Sequence, residues 1–467
     1  MQFSNLTFLF LFLPITLLVY YLVPMKMKNP VFFVASLVFY AWGEPTYFIL
    51  LLFSVFLNYS VGRAMDKWKD DPKRKKAFFL LGLIINIGLL VVFKYLSLLI
   101  SSVNGIFPVD IPDPELKMPL GISFYTFQTL SYLIGIYWGK FSAEKNFVTV
   151  GTYITAFTQI TSGPITRYET IQPELHHRKI NRRGFFDGAE LFVIGLAKKM
   201  ILANHIGGLW AVVKKMNPDE IPLGLAWVGI IGFAFQLYFD FSGYTQMAIG
   251  IGRMLGFHLP ENFNDPYMST SVSDFWRRWH MTLGTWFREF VYIPLGGNRG
   301  GLAKTLRNLL VVWLLTGIWH GAQWNFLFWG LYFGVLLILE KFVWGKYVEK
   351  WPTPLRIFYS FFFVCIGWVL FEFVSPGDIF AYLGAMFGTS GMVWNSFSSY
   401  YFSMYGIVFV LCALFSTPYP RNFGRFLSKR FPGFWKVFYP LFLVAIFILS
   451  VAVMVTSTYQ PFLYAQF

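Results

Sequence analysis

The sequence predicts an all-α, polytopic membrane protein, and three observations predict it. Of 467 residues, 56% are hydrophobic, 21% aromatic and only 13% charged, which is too apolar for a soluble protein of this length. Long apolar runs recur from end to end, and several reach the ~20 residues that a spanning helix needs. The charges collect in the gaps between runs, and the gaps differ in sign.

The runs are Phe3 to Val23, Val31 to Trp42, Tyr47 to Val61, Ala77 to Ile100, Leu120 to Trp138, Phe186 to Trp210, Pro222 to Ile249, Leu309 to Glu340, Ile357 to Phe373, Tyr401 to Phe415 and Val437 to Val455. They predict about eleven spanning helices, the shorter runs being re-entrant or half-buried. The first run lacks a basic leader and a small-residue cleavage site, and Lys26 and Lys28 follow it. It reads as a retained helix.

The net charge is +15, and its placement sets the expected topology. The loop "RAMDKWKDDPKRKK" from Arg63 to Lys76 holds seven Lys and Arg, whereas "VDIPDPELK" before Met118 is acidic apart from Lys117. The positive-inside rule puts the first loop in the cytoplasm and the second outside, with the N-terminus outside. Lys140, Lys145 and the basic stretch ending at Arg183 also fall inside. Phe147 to Gly163 lies between them and should enter and leave on one side, as a re-entrant pair or a surface helix. Cys365 and Cys412 stand far apart in apolar runs, so they read as packing residues and offer neither a disulfide framework nor a metal quartet.

On this topology the stretch "DFWRRWHMTLGTWFREFVYIPLGGNRGG", Asp274 to Gly301, belongs on the cytoplasmic side. Wound as one helix, it would line Trp276, His280, Leu283, Phe287 and Phe290 along one face, apart from Arg277, Arg278 and Arg288. An interfacial amphipathic helix explains the arginines and aromatics, which suit headgroups and the lipid boundary. It leaves a histidine on the buried face unexplained. Nucleic acid is excluded as a partner, because the basic residues are scattered over loops and form no binding module.

The second informative histidine is His320. Only twelve residues separate it from Arg307, the last charge before the apolar run. At about 1.5 Å per residue they carry the chain ~20 Å inward, short of crossing a ~30 Å hydrocarbon core. His320 is therefore expected at membrane depth, followed by a break at Gly321 and the polar interruption "AQWN". Gly317 and Gly321 form a small-xxx-small pair that would admit a neighbouring helix. A packed histidine bonded to a carbonyl is the structural alternative, but an ionisable group inside a membrane costs a few kcal/mol and marks function by default. Asp240, in "YFDFSGYTQMAIGIGRMLG", needs a partner or water for the same reason. Gly250, Gly252 and Gly256 miss the dinucleotide spacing and read as close helix packing. His176 and His177 read as solvated, and His205 and His258 stand near helix ends.

Zinc-helix, nucleophile-elbow and phosphate-loop motifs are missing from the sequence. A neutral histidine near its natural pKa suits one remaining task, taking a proton from a hydroxyl as it attacks an activated acyl group.

The motifs "PLGISFYTFQTLSYLIGIYWG" (Pro119 to Gly139), "GPITRY" (Gly163 to Tyr168), "YFDFSGYTQMAIGIGRMLGFHLPENFNDPY" (Tyr238 to Tyr267), "FWRRWHMTLGTWFREFVYIPLGGNRGG" and "GIWHGAQWNFLFWG" are similar, in this order, to the membrane-bound O-acyltransferase family. The chain most resembles its bacterial alginate O-acetyltransferase branch, departing at Gln246 and Gly284. The resemblance covers one domain over 1–467, dense in a core of about 119–340. It implies a ring of helices around a thin central tunnel, with His320 and His280 as catalytic residues, Asp240, Trp279 and Trp319 as supporting residues, and Arg277 and Arg278 on the donor. The implied reaction moves acetyl groups from a cytosolic thioester, acetyl-CoA as donor substrate and no bound cofactor, toward hydroxyls of an exported or cell-envelope polysaccharide. An extracytoplasmic acetyltransferase or esterase-like partner, membrane lipid and the polysaccharide acceptor are the implied partners, at a bacterial inner membrane. His320 acts as a base or a transient acyl carrier. Two rivals remain: D-alanyl transfer to teichoic acid from a carrier protein, and a lipid or glycan transporter, the latter opposed by the lack of an inverted repeat.

Overall fold

The computed structural model describes residues 2–456; Met1 and residues 457–467, which the single domain expected over 1–467 includes, lie outside the described residues. No strand occurs among the described residues, and helices follow one another from end to end. Among the described residues, eight helices are long and apolar enough to cross a membrane, and a shorter apolar helix covers Phe8–Leu22. All eleven apolar runs fall on helices, but Leu309 to Glu340 divides into two. Those starting at Val31 and Leu120 form helices of 16 residues. Lys198–Ala203 makes a π-helical turn within Phe186 to Trp210.

The helices sort into two compact units, Met1–Phe192 with Tyr244–Pro260, and Val193–Gly243 with Glu261–Phe467. The first contains α1 (Leu13–Leu22), α2 (Lys28–Gly43), α3 (Phe48–Lys67), α4 (Pro72–Ile106), α5 (Ile122–Tyr137), α6 (Phe147–Thr155) and α7 (Tyr168–His176). α4 starts where its sequence says it should: Pro72 opens the helix, and the Asp71 carboxylate accepts from the Lys73 and Arg74 amides at 3.1 Å each. α5 is buried from Ile122 to Ile136, so its polar side chains need partners. Asn58 of α3 and Asn86 of α4 exchange amide hydrogen bonds of 3.1 and 3.0 Å, and Thr129 of α5 donates to Asn86 Oδ1 at 3.1 Å. Such bonds join helices where lipid supplies no hydrophobic force between them. α6 ends at Thr155, and the chain stays buried without helix as far as Thr166.

α8 (Arg182–Ala197) and α10 (Leu223–Met254) contribute residues to both units. Within the first unit, a Cβ on Gly250 would lie 2.5 Å from the Gly188 carbonyl oxygen, the close helix packing expected for this glycine.

The second unit holds α9 (Asn204–Val213), α11 (Val272–Arg278), α12 (Met281–Phe287), α13 (Leu302–His320), α14 (Trp324–Leu339), α15 (Gly345–Val348), α16 (Thr353–Glu372), α17 (Pro376–Met386), α18 (Ser396–Phe415), α19 (Tyr419–Arg430) and α20 (Pro432–Thr456). α19 joins two candidate spans and carries Arg421, Arg425, Lys429 and Arg430 beside exposed Phe423 and Phe426, the composition of an interfacial helix. Cys365 and Cys412 are buried free thiols.

α13 and α14 form a tight pair. A Cβ on Gly317 would meet the Phe326 carbonyl oxygen at 2.3 Å, and one on Gly330 the Trp313 carbonyl oxygen at 2.4 Å. The small-residue contact therefore pairs Gly317 with Gly330 of α14. Gly321, expected as the second member, instead lies past the helix end in extended backbone. Gly330→Val should force the two backbones apart at a cost of about 1–3 kcal/mol. Thermal unfolding of purified protein is expected to show a lowered midpoint for Gly330→Val and an equal or slightly raised one for Gly88→Ala, whose added methyl meets nothing within 4 Å and sits inside a helix.

Candidate active site

The site grows from two interruptions of helix in the second unit. The first is at His280. The single helix expected over Trp276 to Phe290 is two: α11 stops at Arg278, Trp279 is extended, and His280 adopts φ 44°, ψ 51° before α12 begins at Met281. Left-handed backbone costs a residue with a Cβ roughly 1–2 kcal/mol and persists only where the surroundings impose it. Here Asn262 imposes it. Its amide oxygen accepts from His280 Nδ1 at 3.0 Å, from the Thr282 amide at 3.2 Å and from Thr282 Oγ1 at 2.9 Å. Backbone bonds of 2.9 Å from the Met281 amide to the Asn262 carbonyl and 3.0 Å from the Asn264 amide to the Arg278 carbonyl occupy the groups that the break releases.

His280 is buried, as expected, but by this turn and not by helical phase. With Nδ1–H donating to Asn262, Nε2 is the acceptor nitrogen of the neutral ring. Burial pushes the imidazole down to about 3, so the ring is neutral at physiological pH. The edge of Phe241 meets it at 4.8 Å between centroids.

α11 is pinned at its other end. The Glu340 carboxylate accepts from the Val272 and Ser273 amides at 2.8 Å each, and Ser271 Oγ accepts from the Asp274 amide at 3.0 Å. A buried carboxylate on the first amides of a helix satisfies its unpaired donors and complements its dipole.

The second interruption is at His320. It is the last residue of α13, and extended backbone at Gly321 and Gln323 leads into α14, so the break expected at Gly321 is there. The imidazole is buried and packed edge to face against Trp329 at 4.9 Å and Phe371 at 5.4 Å. Trp319 touches both histidines, its ring centroid lying 4.9 Å from His320 and 6.0 Å from His280. Two imidazoles from separate helix breaks thus flank one indole in an apolar enclosure.

The other expected residues divide between this cluster and elsewhere. Trp279 is buried and reaches His320 through Trp368 and Phe371, by centroid steps of 5.0, 5.8 and 5.4 Å. Asp240 forms a buried ion pair with Lys199, the partner that an acid at this depth requires. Arg277 is exposed, while Arg278 donates from Nε to Asp274 Oδ2 at 3.1 Å; both line a cavity of about 690 Å³ whose wall includes neither histidine. Asn262, Lys199, Trp329 and Phe371 are additions that sequence reasoning missed. Asn262 lies within the motif "GFHLPENFNDPY", and Lys199 is, with Lys198, a charge within the apolar run Phe186 to Trp210, a signal that could have found it.

Comparison with known proteins shows the family of the chain. The membrane-bound O-acyltransferase family matches residues 141–372. Relatives include a protein named probable alginate O-acetylase AlgI from Azotobacter vinelandii, 37% identical over 83% of this chain and 78% of that one. The chain belongs to the membrane-bound O-acyltransferase family. It is a multi-pass membrane O-acyltransferase, and its resemblance to the alginate O-acetylase branch holds. A Helicobacter pylori peptidoglycan O-acetyltransferase is 33% identical over 84% of this chain and 80% of its own length. A Bacillus subtilis teichoic acid D-alanyltransferase is 29% identical over 56% and 70%.

Since burial lowers the His280 pKa below its unfolded value, the group's contribution to stability is complete above about pH 6.5 and is lost as pH falls toward about 3. His280→Asn, which tolerates the left-handed backbone, should flatten the fall in unfolding midpoint across that window in thermal scans of the acyltransferase. Asn262→Ala should lower the midpoint by the equivalent of about 1–3 kcal/mol, because buried donors lose their acceptor.

Proposed function

We propose that the acyltransferase moves acetyl groups from cytosolic acetyl-CoA across the membrane toward hydroxyls of an exported or cell-envelope polysaccharide, with an extracytoplasmic partner protein completing the transfer. The observation that carries this reading is the pair of buried histidines against Trp319, in a family whose relatives are named for acetylating alginate and peptidoglycan.

His320 acts as general base. The acceptor hydroxyl loses its proton to the imidazole as its oxygen attacks the thioester carbonyl; the C–O bond forms, the C–S bond breaks, and the proton passes to the departing thiolate. Apolar aromatic walls suit this step, because they disfavour hydrolysis of the thioester. His280 orients the thioester from the cytosolic side through Nε2. Asp240, Trp279 and Trp319 hold the two rings in place, and Arg277 and Arg278 engage the donor's phosphates.

His320→Ala is expected to abolish polymer acetylation, measured as ester-linked acetate on the cell envelope, while the protein still inserts at the parental level. Parental acetate in that variant sinks the assignment. The D-alanyltransferase relative favours a second reading, and ester-linked D-alanine in place of acetate, lost on deletion of the gene, would establish it.

A further inference from the structure

The cavity beside α11 has a chemistry unlike that of the histidine cluster. Five cationic side chains line it, Arg277, Arg278, Lys341, Lys346 and Arg356, against three carboxylates. Two of the three carboxylates are committed elsewhere. Glu340 is bound to the Val272 and Ser273 amides, and Asp274 to Arg278 and the Thr270 amide at 3.2 Å. Among the described residues, no carboxylate lies within ion-pair distance of Lys341, Lys346 or Arg356. Arg356 donates from Nη2 to Thr270 Oγ1 at 3.1 Å, while its Nε is buried with no acceptor in the protein. A guanidinium with donors to spare beside a cavity is the cation that most readily takes an oxyanion, because its planar fork can pair with two oxygens at once.

We propose that this cavity is a phosphate subsite, and that it takes the nucleotide diphosphate end of the thioester donor, with Lys341, Lys346 and Arg356 as its specificity residues. The proposal rests on the acyl-transfer reading above. At about 690 Å³ the cavity has the size of a small-molecule site and not of a protein docking face. Five cations suit several phosphate charges better than the single one of a carrier-borne phosphodiester. The phosphates need not touch His280 or His320, because the pantetheine arm of such a donor carries the thioester away from them. Trp276 joins the two regions: its neighbour Arg277 lines the cavity, and its own ring packs 5.4 Å from Trp329, which contacts His320.

Lys341 and Lys346 are exposed, so Lys341→Gln/Lys346→Gln should fold with an unchanged thermal midpoint. Calorimetry on the full-length protein measures binding of 3′,5′-ADP and of coenzyme A, in nanodiscs of phosphatidylcholine and of phosphatidylglycerol. Wild type is expected to bind both ligands in both lipids, and the double variant about tenfold more weakly or worse. No nucleotide binding in either lipid, or equal affinities for wild type and variant, overturns the proposal. Binding in phosphatidylcholine that phosphatidylglycerol abolishes identifies a lipid-headgroup site and overturns the nucleotide assignment. S-acetylpantetheine, which lacks the nucleotide, separates this proposal from the reading on which it rests. If the double variant cleaves it at the wild-type rate while losing nucleotide affinity, the subsite is supported. A wild-type protein that binds 3′,5′-ADP but cleaves no thioester sinks the acyl-transfer reading and leaves the phosphate site standing.

Discussion

The candidate site depends on the amide oxygen of Asn262. Inside an apolar enclosure every backbone N–H released from a helix needs a new acceptor, since leaving it bare costs several kcal/mol. Asn262 meets that demand where α11 gives way to α12, and the same oxygen orients the His280 ring. Without this side chain, the left-handed backbone at His280 would keep only the two backbone bonds from the Met281 and Asn264 amides. Glu340 answers the same demand at the opposite end of α11, so a helix of only seven residues is fixed at both ends by side chains distant in sequence.

The second histidine is held by a different device. α13 and α14 approach until the backbones of Gly317 and Gly330 touch, and the loop between them is short and extended. His320 stands at that turn, walled by Trp319, Trp329 and Phe371. Aromatic rings suit the task, because they are large, stiff and weakly polar, and they fix an imidazole without giving it a charge to answer. The buried pair of Lys199 and Asp240 contributes differently. Each ion is tolerable at depth only because of the other, so the pair ties α10 to the π-helical turn that carries Lys199, near the residues that pack on His280.

The histidine cluster and the cationic cavity are kept apart. The histidines lie among aromatic side chains, while Arg277 and Arg278 of α11 line a cationic cavity. α11 carries residues of both environments, Phe275 and Trp276 on the aromatic side and Arg277 and Arg278 on the cationic one.

The sequence alone determined that the chain is helical, spans a membrane repeatedly, belongs to an acyltransferase family and has a histidine at a helix break near Gly321. These follow from composition, run length, a count of twelve residues and the order of motifs, all of which are local. It misjudged Trp276 to Phe290 as one helix, because a periodicity of 3.6 residues cannot register a left-handed turn supported by an asparagine 18 residues earlier. It also left Asp240 without its lysine and paired Gly317 with Gly321 in place of Gly330. Only the tertiary structure decided which side chains meet, because hydrogen-bond acceptors, counter-ions and ring contacts in a buried site come from segments far apart in the chain.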